Sequence, residues 1–291
     1  MMGRSMKMKT FLFTFALFFL AGCASSPSNE SGPAEVSAKK AAAAPSEAAS
    51  ADEEAAAVKP FIESPAALAK SATPSVLQDA IKSGNEDSIR KAAIAGLMQN
   101  SNDVMSLNAM GLYEYRKGRP LAGKLFFNKA LTVQPNSSEL YSNIGLTYLA
   151  LGDEFEAIRS FRKALELNPN DINAAINLGS IYLEHRDFDK AFTVYNLSSG
   201  RSRDIKFLNN FAIASAAHGK LEQADGLYRD ALKMSPGNRE LLLNYAIFQV
   251  EYQGKFKDGL ETLDRLKLIG LGEGMNNKTK ELENKAKAGL K

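Results

Sequence analysis

The sequence predicts an all-α protein, a solenoid of stacked helix–turn–helix units, and three observations carry that expectation. Small residues recur at a fixed interval: Gly111, Gly145 and Gly179 lie 34 residues apart, and Ala212 and Ala246 continue the series at 33 and 34. Aromatic residues keep the same interval at Phe127, Phe161, Tyr195 and Tyr228, each followed by a small residue at Ala130, Ala164, Ser198 and Ala231. Within one interval, apolar residues follow helical spacing. In "ELYSNIGLTYLALGDEFEAIRSFRKALELNPND", Leu140, Ile144 and Tyr148 mark one helical face, and Phe155, Ile158, Phe161, Ala164, Leu165 and Leu167 mark a second. Gly152-Asp153 breaks between them, and Pro169-Asn170 ends the unit. Two helices cannot bury their own apolar faces, so neighbouring units must stack.

Taken in order, residues 1–22 read as a signal peptide: Arg4, Lys7 and Lys9 stand without an acid before an apolar run from Phe11 to Leu20. That run is about half the ~20 residues a bilayer-spanning helix needs. It closes on "LAGC", whose Cys23 is the one cysteine among 291 residues. "LAGC" resembles the lipobox of bacterial lipoproteins. The resemblance implies a diacylglycerol thioether on Cys23, cleavage before it and acylation of the new amine. More than one acyl chain makes such anchoring stable. Ala24 rather than an aspartate follows, which by resemblance implies transfer to the outer membrane in a diderm host, and the expected place is its periplasmic face.

Residues 23–59 carry that cysteine and an Ala/Ser/Pro-rich stretch with six acids, three lysines and no aromatic residue. Such composition cannot offset chain entropy by burial and reads as a disordered tether spanning roughly 35 Å. Residues 60–103 read as a helical cap or degenerate repeat, two short helices around Gly84-Asn85. Five repeats follow over 104–273, divided at 137, 171, 204 and 238. The third loses a residue within "SSGRSRD", and the fifth gains one near Gln253. Residues 274–291 hold a polar capping helix, placed at Lys278 to Leu290, as a solenoid end requires.

The repeat signature resembles the tetratricopeptide repeat, a 34-residue helix–turn–helix. That resemblance implies a right-handed superhelix whose first helices line a concave groove. The positions implied to face it place Asn143, Asn177, Asn210 and Asn244 in a row, with Ala109 in the first repeat. Asparagine amides both donate and accept, so such a row suits an extended peptide backbone. Leu146, Leu149, Ile176, Leu183, Ile213 and Ile247 stand around it, so an amphipathic helix of a partner also suits the groove. Lys206 and Arg116 are the basic residues at groove positions, too few for a carboxylate clamp.

No cofactor, metal or catalytic site is expected. The sequence has no Walker phosphate loop, no G-x-S-x-G and no H-E-x-x-H. His185 and His218 precede hairpin turns and read as surface residues. A net charge of +3 is too small to argue for nucleic acid. The expected function is a membrane-anchored, non-enzymatic scaffold for a protein partner in an envelope complex. "FLNNFAIASAAHGKLEQADGLYRDAL", Phe207 to Leu232, is similar to the central repeats of type IV pilus pilotins, although the long tether departs from them. An adaptor for peptidoglycan hydrolases, a motility or secretion component and a periplasmic co-chaperone are the alternatives.

Overall fold

The computed structural model describes residues 74–198 and 202–291. The signal peptide, Cys23, the tether and the start of the 60–103 segment lie outside them. Among the described residues there are thirteen helices and no strand. A leading pair, α1 (Pro74–Ser83) and α2 (Glu86–Gln99), precedes five hairpins. These are α3 (Val104–Arg116) with α4 (Pro120–Val133), α5 (Ser138–Ala150) with α6 (Glu154–Leu167), and α7 (Ile172–Glu184) with α8 (Phe188–Leu197). Then come α9 (Ile205–Ala217) with α10 (Leu221–Met234), α11 (Arg239–Ile247) with α12 (Phe256–Ile269), and a last helix α13 (Met275–Gly289).

Each hairpin starts on a cap. Asp103, Ser137, Asp171, Asp204 and Asn238 stand immediately before the five first helices, and each side chain accepts a hydrogen bond from the backbone N–H three residues on. A cap of this kind contributes about 1 kcal/mol. It recurs at the repeat interval, so the same polar position sets the start of every first helix. Asp153 caps α6 in the same way, through the Glu156 N–H. The turn inside each hairpin needs one left-handed residue. Gly152 supplies it in the second hairpin at φ 77°, and Arg186 takes the same role in the third at φ 60°. A side chain in that region is strained.

Within a hairpin, glycine on the first helix makes room for the aromatic ring of the second. A Cβ on Gly145 would lie 2.6 Å from the Phe161 ring, and one on Gly179 would lie 2.3 Å from Tyr195. The sequence pairs Gly145 with Ala157 instead. That close approach of the two helices is visible at the corresponding Gly123, where a Cβ would come within 2.8 Å of the Gly111 carbonyl oxygen. The ring is nonetheless what forbids a side chain at Gly145. Phe127, Phe161, Tyr195 and Tyr228 are all fully or almost fully buried. Burial pushes the Tyr195 and Tyr228 phenols well above the usual tyrosine range.

Between hairpins, Phe127 packs with Leu140 and Ile144 of the next unit. Successive first helices touch one another, α3 to α5, α5 to α7, α7 to α9 and α9 to α11, whereas successive second helices make at most marginal contact. The stack is therefore tighter on the first-helix side, which makes that the inner side. α9 is the most enclosed of these helices, buried without interruption from Phe207 to Ala216. The extra residue of the fifth repeat is absorbed by a π turn, Phe248–Tyr252, that continues α11. One inserted residue in a helix produces this wider turn.

The last helix begins at Met275, three residues earlier than its polar sequence suggests, because Met275, Thr279, Leu282 and Ala286 form a buried stripe. Lys278 and Lys285 reach Glu251 at 3.5 and 3.4 Å, and that carboxylate side chain is only 7% exposed. The cap is polar outwards and apolar inwards, and it neutralises a charge that the π turn buries.

Candidate binding surfaces

On the first-helix side, the asparagines are rungs between successive hairpins. The Asn143 amide donates to Asn108 Oδ1 at 2.8 Å, and Asn108 in turn donates to Glu139 at 2.6 Å. Asn244 donates to Asn209 Oδ1 at 3.1 Å, which repeats the 35-residue offset of the Asn143–Asn108 bond. Asn210 is 4% exposed and donates to Ser180 Oγ at 3.0 Å. Asn177 is different: its half-buried side chain makes no hydrogen bond to another described residue. The Ser142 hydroxyl on the preceding first helix is buried and unpartnered. Asn177 therefore offers both a donor and an acceptor in the middle of the row.

The apolar residues expected around that row divide in two. Leu146 and Leu149 are half-buried. Ile176, Ile213 and Ile247 are buried, and Leu183 is completely enclosed. Leu183 is core and cannot line a groove, because α7 and α9 close over each other more extensively than any other pair of first helices. Lys206 and Glu240 occupy corresponding positions on α9 and α11. Burial pushes the Glu240 carboxyl up, and the Lys206 charge opposes that rise.

On the second-helix side the surface is open. A cleft of about 620 Å3 lies between α4 and α6, with Ile144 and Tyr148 of α5 as its floor. Leu131, Phe155 and Ile158 add apolar wall, and Phe155 is 76% exposed. The helical period counts Phe155 with the core face. In the structure it occupies the first turn of α6 and is exposed to solvent. Lys124 sits 4.4 Å over the Tyr148 ring. A second cleft of about 500 Å3 lies between α6 and α8 over Tyr182, with Leu197 on its wall. Arg162 separates the two, donating to the Tyr182 hydroxyl at 3.0 and 2.6 Å through two guanidinium nitrogens. Further along, Tyr245 donates to Asp225 at 2.9 Å and Arg229 pairs with the same carboxylate. Polar contacts link α10 to α11 there.

Both histidines are inter-repeat pairs. His185 Nε2 lies 2.6 Å from Glu154, and His218 Nδ1 lies 2.7 Å from Asp189. His218 also stacks on Phe192, with ring centroids 4.2 Å apart. Lys117 meets Glu86 at 2.7 Å in the same arrangement, two hairpins before the His185 pair. In each, a base just past a first helix joins an acid in the first turn of the preceding second helix. The Lys117 hydrogen bond and charge hold the Glu86 carboxyl below its usual range. Among the described residues, no group of three or more His, Cys, Asp or Glu side chains is placed to hold a metal ion. No described helix is long and apolar enough to cross a membrane.

Two tetratricopeptide repeat family models match the chain, over residues 138–171 and 160–193. The chain thus contains tetratricopeptide repeats, and the matches fall on its second and third hairpins. No curated protein matches the sequence. Solved structures do. YrrB, a tetratricopeptide protein with an unusual peptide-binding site, aligns with a TM-score of 0.54 at 19% identity, over 68% of this chain and 99% of its own. A tetratricopeptide repeat protein from Parabacteroides merdae gives 0.53 at 15% identity, over 78% and 90%. Pseudomonas aeruginosa PilF gives 0.51 at 17% identity, over 64% and 88%. At these identities the likeness establishes the all-α solenoid fold alone.

Proposed function

We propose that this protein is a lipid-anchored, non-enzymatic scaffold that holds a protein partner in an envelope complex. One observation carries the reading: the single cysteine stands at the end of an apolar leader, joined by a polar stretch to a stack of tetratricopeptide hairpins. The hairpins supply a binding surface, and Cys23 supplies its place, the periplasmic face of the outer membrane. A pilotin-like role in type IV pilus assembly suits this layout, and the fold shared with PilF is compatible with it.

The first-helix side is the surface for an extended peptide or an amphipathic helix. Asn177 is the strongest candidate to bond a partner's backbone, because the amides of Asn143, Asn210 and Asn244 already donate within the stack. Leu146 and Leu149 flank it with apolar surface. The peptide-binding site of YrrB is a precedent for this use of the fold.

Fractionation of cells carrying Cys23→Ser tests the anchor. Release from the membrane fraction is expected, and unchanged membrane association would refute it. Retention of the same partners after Asn177→Ala, judged by cross-linking and pull-down, would remove the role given to that amide.

A further inference from the structure

We propose that the outward face of α4 lies on an anionic lipid bilayer, as a second membrane contact that sets which way the hairpin stack points. The orienting role rests on the anchor at Cys23, whereas the contact itself can be tested without it. The sequence of α4 is the first argument. It is the one second helix of the five hairpins that carries no acid. Leu121, Leu125, Asn128 and Thr132 follow at i, i+4, i+7 and i+11, a single stripe along the helix. All four are exposed, the two leucines at 63% and 71%. Lys124 flanks the stripe on one edge and Lys129 on the other. Neither lysine forms an ion pair with a described residue, and the Lys124 ammonium rests over the Tyr148 ring. Leucines between two edges of lysine suit a helix lying in a membrane interface. The apolar side chains enter the acyl boundary, and the lysine stems carry their charges up to the headgroup phosphates.

Shape and place identify the occupant. The stripe belongs to a single helix, and neither leucine lines either cleft, so it offers no groove to a partner's helix. A second copy of the chain meets it poorly, since an isologous contact would set Lys124 and Lys129 against their own counterparts. The bases of the preceding turn are already engaged, Lys117 with Glu86 and Arg119 with Glu114, so the free charge is that of α4 itself. The Lys117–Glu86 pair also holds the start of α4 beside the start of α2. That point is one helix from Pro74, where the chain from Cys23 enters the stack. Even as an unfolded coil, residues 24–73 would average roughly 40 Å end to end. An anchor at Cys23 therefore keeps this hairpin near the bilayer, where a weak and reversible contact suffices to orient the stack. Leu268 on α12 shows the contrast. It is 89% exposed, but Asp264 and Glu261 stand four and seven residues before it on the same stripe, and an anionic surface repels them.

The test uses the full chain with Cys23→Ser, which has no other cysteine. It carries either Leu125→Cys or Leu268→Cys, labelled with an environment-sensitive fluorophore, and vesicles of phosphatidylglycerol or of phosphatidylcholine are added in excess. On phosphatidylglycerol the Leu125 probe is expected to shift to the blue and to be quenched by a quencher carried on the lipid. On phosphatidylcholine that shift should be absent, and the Leu268 probe should stay in water on both. Lys124→Glu together with Lys129→Glu should raise the lipid concentration needed for the shift at least about tenfold. Neither lysine is buried or ion-paired, so circular dichroism should find that variant folded. A Leu125 probe that stays in water, an equal shift on the two lipids, or an equal shift at Leu268 would overturn the proposal. So would a shift that grows with protein concentration without vesicles, which marks self-association. A shift produced by a glutamate-rich helical peptide and not by vesicles would mark a protein partner and overturn it too. None of these outcomes bears on the anchor, which Cys23→Ser has already removed and which membrane fractionation tests by itself.

Discussion

The two sides of the solenoid use their side chains in opposite ways. On the first-helix side, Asn143, Asn210 and Asn244 are bonded across successive hairpins, and Ile176, Leu183, Ile213 and Ile247 are enclosed. On the second-helix side, Leu125, Phe155 and Leu197 are at least 70% exposed, and two clefts stand open. Both sides belong to the same hairpins, so composition does not cause the difference. Curvature does: first helices touch their successors and second helices do not. Side chains on the inner side meet partners from the next unit, and those on the outer side meet solvent. A residue type that signals recognition in sequence can therefore be internal scaffolding, as at Asn210. A residue counted with the core can instead be surface, as at Phe155.

The largest way to break this comparison is to remove what holds the two sides apart. Phe161→Ala empties the buried space beside Gly145 and should destabilise the fold by about 3–5 kcal/mol in urea unfolding. A loss under about 1 kcal/mol would show that the ring is not the spacer claimed. Next come the rungs. Asn143→Ala removes the amide that bonds Asn108 and should cost about 1 kcal/mol. Asn177→Ala should change stability by less than about 0.5 kcal/mol. Equal costs at the two positions would end the distinction between bonded and free asparagines.

A sharper test of the shared architecture is Arg186→Gly. Glycine occupies the corresponding turn of the other four hairpins, so relieving the left-handed arginine should raise stability by about 1 kcal/mol. Tyr245 reports the polar network that links α10 to α11. Its burial, reinforced by the bond to Asp225, pushes the phenol up to about 12. Folding favours the neutral form, so this contribution is whole below the ordinary tyrosine value of about 10 and is lost as pH rises through about 12. Ultraviolet titration of phenolate absorbance, with and without Tyr245→Phe, follows it. A Tyr245 that ionises with the ordinary tyrosines would contradict the network. A small effect also belongs to the histidine pairs. His218→Ala removes an exposed pair and a stacked ring and should cost no more than about 1 kcal/mol in thermal unfolding.

Much of the fold was legible because it is periodic. A glycine, an aromatic ring and a turn recurring every 34 residues define a hairpin, and the inserted residue near Gln253 announces the π turn. The caps at Asp103, Ser137, Asp171, Asp204 and Asn238 recur at the same interval and are an equally periodic signal in the sequence. The surfaces were less legible. Register assigns Leu183 and Ile213 to a groove, but how far successive first helices close over them depends on curvature, which no single repeat encodes. The row of asparagines is plain in sequence, whereas which amides are already bonded depends on neighbours such as Asn108, Ser180 and Asn209, at offsets of 35, 30 and 35 residues. The cleft beside Phe155 arises between hairpins and has no motif of its own.

The central claim is that an anchored scaffold engages protein partners, and site-specific photo-cross-linking in intact cells tests it most directly. A photoreactive residue replaces Asn177 in the full-length chain, with and without Cys23→Ser. The account predicts cross-linked protein adducts from this position in the chain with Cys23, and their loss when Cys23→Ser releases the chain from the membrane. Chains that reach the membrane yet give no adduct would contradict it.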